Sequence, residues 1–86
     1  MPAIPRMLHL PEIIVVRGRS RQSHFNDIRA GLFPPGVLIG KKQRGWPDYE
    51  LEAIQAATIA GFTEDQIKVL VQKLIAKRTA GKVGVK

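Results

Sequence analysis

The sequence predicts a mainly helical fold with one small β-hairpin, and three observations carry that reading. Segments with apolar residues three and four apart recur along the chain. Capping residues stand at the ends of those segments. Two short apolar runs flank the polar tetrapeptide Lys41-Lys42-Gln43-Arg44, with glycines on both sides. Eighty-six residues make one domain with a modest core.

Residues 1–7 hold Pro2 and Pro5 and read as a flexible arm. Leu8-His9-Leu10 alternates as a short strand does. Pro11 then opens a helix to about Val16, because a first helical turn tolerates proline. Ile13, Ile14 and Val16 are its expected core contacts. The β-branched run is weak helix material, so packing must hold it. Gly18 fits its C-terminal cap.

Ser20 suits the N-cap of a second helix, Arg21 to Ala30. Phe25 and Ile28 can share its inner face, leaving Gln22, Ser23, Asn26 and Arg29 around the rest. Gly31 ends it, and Phe33 packs back on the core. Two helices joined by three or four residues, one of them glycine, make a helix-turn-helix, whose second helix is presented to the major groove. A helix facing DNA needs only a narrow apolar stripe. Gln and Asn pair with adenine edges, Arg with guanine, and Ser with a base edge or a phosphate.

The two runs around Lys41–Arg44 read as a hairpin with that basic tetrapeptide at its tip. A hairpin directly after a reading helix is a wing, and a basic tip suits phosphate or minor-groove contact. Trp46 closes the core beneath the wing or offers a stacking platform for single-stranded bases. A third helix begins near Pro47, with Asp48, Glu50 and Glu52 at the positive end of its dipole. Leu51 and Ile54 lead its inner face, with Ala57 and Thr58, and Gly61 breaks it. Its acids place it behind the reading head.

Thr63 and Gln66 form a capping box for a fourth helix, Glu64 to Arg78. Ile67, Leu70, Val71, Leu74 and Ile75 give it an apolar stripe, which either completes the monomer's core or pairs two subunits. Lys73, Lys77 and Arg78 complement its C-terminal dipole. Residues 79–86 read as a flexible basic tail. The expected organisation is thus an arm (1–7), a winged helix-turn-helix domain (8–60), a C-terminal amphipathic helix (61–78) and the tail (79–86).

The net charge of +7 suggests an anionic partner, and its distribution sharpens the point. Residues 17–44 carry +6, residues 45–67 carry −5, and residues 68–86 carry +6. There are no cysteines and two histidines, which argues against disulfides and against a thiolate or histidine metal site. No apolar run approaches the roughly 20 residues of a membrane span, and the N-terminus lacks a signal pattern. The expected location is the cytoplasm, nucleoid included, with no membrane partner. Ser20 or Ser23 beside His24 is only sequence proximity, and Gly40-Lys41-Lys42 lacks the rest of a phosphate-cradling loop. The reading is therefore of a non-enzyme without cofactor.

Leu10-Pro11-Glu12, Gly18-x-Ser20-Arg21, Phe25-x-x-Ile28-x-x-Gly31-x-Phe33-Pro34, Gly45-Trp46 and Glu50-Leu51-x-Ala53-Ile54 together resemble the AlpA family. These are small winged helix-turn-helix regulators of prophages and integrative elements, related to phage excisionases and more distantly to the MerR DNA-binding domain. The likeness covers about Leu8 to Arg78; no single element is specific, but the ordered set is. It implies a DNA-reading helix over Ser20–Ala30 and a wing over Val37–Trp46. Three positions depart from the family pattern: Arg19 and Asp27 stand where apolar residues are usual, and His24 replaces an aliphatic. Asp27 is expected to point away from DNA or pair with a neighbouring Arg. His24 is expected either half-buried or reaching a phosphate when protonated.

The expected function is sequence-specific binding of double-stranded DNA. Ser20, Arg21, Gln22, Ser23, Asn26 and Arg29 are the reading-helix contacts, Lys41, Lys42, Gln43 and Arg44 the wing contacts, and Arg19 and His24 additional ones. Leu10, Ile13, Phe25, Ile28, Phe33, Trp46, Leu51 and Ile54 are the expected core. The resemblance implies a transcriptional regulator of a mobile element, with RNA polymerase as a partner. The alternative is an excisionase, or recombination directionality factor, that bends DNA, pairs with itself in an array and assembles with an integrase. A protein-binding adaptor or an RNA-binding module ranks below both, since RNA reading stacks bases on surface aromatics and only five aromatics are present.

Overall fold

The computed structural model describes residues 4–80. Four helices, α1 (Leu10–Arg17), α2 (Arg21–Arg29), α3 (Asp48–Ile59) and α4 (Glu64–Ala80), surround a small sheet of β1 (Met7–Leu8), β2 (Val37–Leu38) and β3 (Arg44–Pro47). The strand order is β1-β3-β2. Both pairings are antiparallel, with Leu8 opposite Trp46 and Val37 opposite Gly45. Among the described residues no helix is long and apolar enough to cross a membrane.

The N-terminal strand differs from the sequence expectation. Met7 belongs to β1 rather than to an arm, and Leu10 has left the strand to open α1. The cause is local: the His9 amide donates to the Glu12 carboxylate at 2.9 Å, which turns the chain into the helix one residue early. The Asp48 amide donates to the Arg6 carbonyl at 2.8 Å, extending the strand's tether. Residues 1–3 of the expected arm lie outside the described residues.

In α1, Ile13 is fully buried while Val16 is 53 % exposed, which corrects the expected core set. Residues four apart share a helix face, so the position beside Ile13 is Arg17, and the apolar Val16 turns out. Gly18 takes the left-handed conformation (φ 67°), and the Arg19 amide reaches back to the Ile14 carbonyl at 3.2 Å. This glycine-capped end leaves three residues before α2, which starts where the Ser20 hydroxyl accepts the Ser23 amide at 3.1 Å.

The core gathers Ile13, Phe33, Trp46, Leu51, Ile54, Ala57, Ile67, Val71 and Leu74. Leu10 and Ile28 are only partly buried at its edge. The apolar stripe of α4 therefore packs inward, against α3. Thr63 and Gln66 make both capping-box bonds, at 2.8 and 3.2 Å. The helix continues through Thr79 and Ala80, so the expected tail begins later than residue 79, and 81–86 lie outside the described residues. Arg78 does not serve the helix end. It forks onto the Glu50 carboxylate with two 2.7 Å bonds and reaches the Pro35 carbonyl at 2.8 Å. Glu50 is fully buried, so this pair clamps the end of α4 to the start of α3 and to the turn leading into β2.

Candidate nucleic-acid interface

Helix α2 is organised by what lies beneath it. Asp27 is buried, and its carboxylate accepts from Arg17 Nη2 at 2.9 Å and from Arg19 Nη2 and Nε at 2.8 and 3.1 Å. Arg17 Nη1 also lies 3.0 Å from His24 Nδ1. A guanidinium can only donate, so Nδ1 accepts and the imidazole proton sits on Nε2. The Arg17 guanidinium also covers the Phe33 ring at 4.3 Å. Burial lowers the Arg17 pKa, and the bond and charge of Asp27 oppose that shift.

His24 is fully buried, with its ring edge-on to Phe33 and Trp46 at centroid distances of 5.0 and 5.3 Å. Burial first, and the Arg17 charge second, push its pKa down to about 4. Its Nε2 finds no hydrogen-bond partner among the described residues. A phosphate contact by His24 is thus excluded in this conformation, because the ring faces the core. Arg19, the other additional contact expected, is also committed: its guanidinium forks onto Asp27, although the side chain stays 44 % exposed.

Inward placement of Asp27 leaves the outer face of α2 without a carboxylate. Arg21, Gln22, Asn26 and Arg29 are exposed there, and Ser23 is half-buried. Gln22 Nε2 and Arg29 Nη2 both donate to Asn26 Oδ1, at 3.2 and 2.6 Å. The three side chains form one preordered polar strip. The Ser20 oxygen is engaged as the helix cap, although the residue is exposed.

The hairpin tip falls one residue earlier than expected. Arg44 belongs to β3, and the turn is closed by the Ile39 amide on the Gln43 carbonyl at 2.9 Å. Lys41, Lys42, Gln43 and Arg44 are all exposed, and Arg44 Nη1 donates to the Gly36 carbonyl at 3.1 Å. A β-carbon on Gly36 would lie 2.9 Å from Arg44 Cβ and 3.1 Å from the Trp46 ring, so the hairpin base admits only glycine without rearrangement. Trp46 is buried and donates from Nε1 to the Pro34 carbonyl at 2.8 Å. That position closes the core and leaves no ring face for stacking bases.

Phe25 is corrected from core to surface, being 38 % exposed. His24 takes the inward position that an apolar residue would fill, and Phe25 turns toward the hairpin. There it lines an open cleft with Leu10, Ile28 and Trp46, whose other wall carries Lys42 and Arg44. Helix α2, through Phe25 and Ile28, and the hairpin, through Lys42 and Arg44, therefore line one cleft. The buried Arg17 and the Glu50–Arg78 clamp escaped sequence reasoning. The i, i+4 position of Arg17 after Ile13 and the unusual Asp27 were the signals for the first.

Comparison with known proteins finds a phage relative. The chain is 41% identical over 56 residues to the uncharacterized protein ORF88 of Enterobacteria phage P4, a match spanning 65% of this chain and 64% of that protein. The chain is similar to a small phage protein and spans just under two thirds of that relative's length. No protein-family model matches the chain. No solved structure matches it either.

Proposed function

We propose that the protein is a winged helix-turn-helix binder of specific duplex DNA, of the AlpA-like kind, that regulates transcription in a prophage or integrative element. The observation that carries this reading is the exposed, acid-free polar strip of α2 on a helix that shares one cleft with the basic hairpin. Helix α2 enters the major groove, with Arg21, Gln22, Ser23 and Asn26 nearest the bases and Arg29 near a phosphate. The hairpin holds the adjacent backbone or minor groove through Lys41, Lys42 and Arg44. A single module of this size buries roughly 600–1,000 Å² of protein surface on DNA, so useful specificity calls for repeated or inverted sites.

The likeness to a phage protein supports the mobile-element setting, in which an excisionase role uses the same reading head. Selection of bound duplexes from a random pool tests the proposal. A short enriched motif supports it; a pool that stays random while salt still weakens binding reduces the protein to a non-specific basic binder. Repeated copies of the motif beside an attachment site, with bending of the DNA, would favour the excisionase role over the regulator.

A further inference from the structure

We propose that two copies of this chain pair antiparallel through the outer face of α4, with Val69 on the two-fold axis. This inference rests on no DNA contact and is measured without DNA. The inner face of α4 is spent on the core through Ile67, Val71 and Leu74. The opposite face nevertheless carries Val69 and Ala76, seven apart, and Phe62, in the turn before α4, lines one groove with Val69. All three are exposed, Phe62 at 45 % and Val69 at 56 %. Phe62, Gln66, Val69, Leu70 and Lys73 line a shallow groove along that face. Helical positions seven apart stay on one seam facing a partner helix.

The polar residues on the seam identify the partner. In an antiparallel pair with its axis at Val69, each position before 69 meets the one equally far after it. Val69 meets Val69, and the small Ala76 faces the N-terminal end of the partner helix, beside the turn that carries Phe62. Gln66 meets Gln72, amide against amide. Asp65 meets Lys73, opposite charges at the same height, and the two-fold axis makes this contact twice. Among the described residues neither Asp65 nor Lys73 is in an ion pair. A parallel copy would set like charges at the same level, which disfavours that arrangement. Charge and amide positions are thus self-complementary in one register, the isologous pattern of a two-fold interface. Three apolar residues per subunit make a small contact, in the range below about 1,200 Å² typical of transient association. It gains force when neighbouring DNA sites hold two copies close together.

Sedimentation equilibrium over a wide concentration range tests this with charge exchange. Asp65→Lys and Lys73→Asp, both at exposed positions, should each weaken self-association about tenfold, because two surface ion pairs become like-charge contacts. An equimolar mixture of the two variants should recover it, since every seam contact is again opposite in charge. Oxidation of Val69→Cys should give a covalent dimer rapidly. Gln66→Cys should not, because its copies lie too far apart across the axis to bridge. A wild-type chain that stays monomeric at every concentration, or a mixture that associates no better than either variant alone, would overturn the pairing.

Discussion

Arg17 and Asp27 meet at 2.9 Å with both side chains only 10 % exposed, joining α1 to α2 through a buried ion pair. Arg19 adds a two-bond fork onto the same carboxylate from the solvent side. The sequence places three unusual charges close together, and the fold makes them one structural unit. Removing one partner of a buried pair strands the other. Asp27→Ala should therefore cost about 3–5 kcal/mol in urea unfolding, whereas Arg19→Ala, from the exposed side, should cost about 1 kcal/mol or less. Equal losses would mean that Arg19, not Arg17, carries the joint.

His24 makes stability depend on pH. In the unfolded chain its imidazole protonates near pH 6.5, while in the folded chain it resists down to about 4. The unfolded state then binds the proton first. The contribution is complete above about pH 6.5 and is lost as pH falls toward 4, at up to about 1.4 kcal/mol per pH unit. Urea midpoints between pH 7 and 4.5 read this directly. His24→Leu should flatten the profile across that window; an unchanged slope would assign the dependence to other groups.

The Glu50–Arg78 clamp reaches the hairpin through the Pro35 carbonyl. Arg78→Ala leaves a buried carboxylate without its partner and should lower stability by about 3–5 kcal/mol. Adding Glu50→Gln should recover part of that loss, because an amide costs less to bury than a carboxylate. A double variant as unstable as Arg78→Ala alone would show that the lost packing, not the stranded charge, is what matters.

On DNA, Lys41→Ala combined with Arg44→Ala should weaken binding to all duplexes and make the salt dependence shallower. The intact protein should lose log affinity against log salt at a slope of about −4 to −6, for roughly five to seven phosphates. Gln22→Ala and Asn26→Ala should instead reduce discrimination between sites, by about 1–3 kcal/mol per lost bidentate contact. Unchanged affinity of a folded wing variant would remove the hairpin from the interface.

Helix limits and the hairpin were legible from capping residues and glycines, since Ser20, Thr63-to-Gln66 and Gly18 act locally and need no knowledge of the fold. The apolar stripe of α4 was legible too, because three- and four-residue spacing determines a face. What periodicity could not convey was the inward turn of charged residues. Arg17 and Glu50 read as surface by residue type, the expected Arg partner of Asp27 and the half-burial of His24 came without their geometry, and only three-dimensional partners make such burial favourable. Phe25 illustrates the same limit in reverse: an aromatic beside a buried histidine is displaced toward solvent. The candidate interface was correspondingly easier to anticipate on the exposed strip, Gln22, Asn26 and Arg29, than at Arg19 and His24.

The two ionic joints differ in how far along the chain they reach. Arg17, Arg19 and Asp27 lie within eleven consecutive residues, so that joint can form on nearby contacts alone, which assemble early. Arg78 closes onto residues 28 and 43 positions back, a connection that must wait for the fourth helix. During synthesis the paired helices α1 and α2 emerge ready to settle, while the hairpin beside them still lacks its brace. A nascent chain that has not yet yielded Arg78 thus holds both partners of the first joint while Glu50 and the Pro35 carbonyl still await theirs.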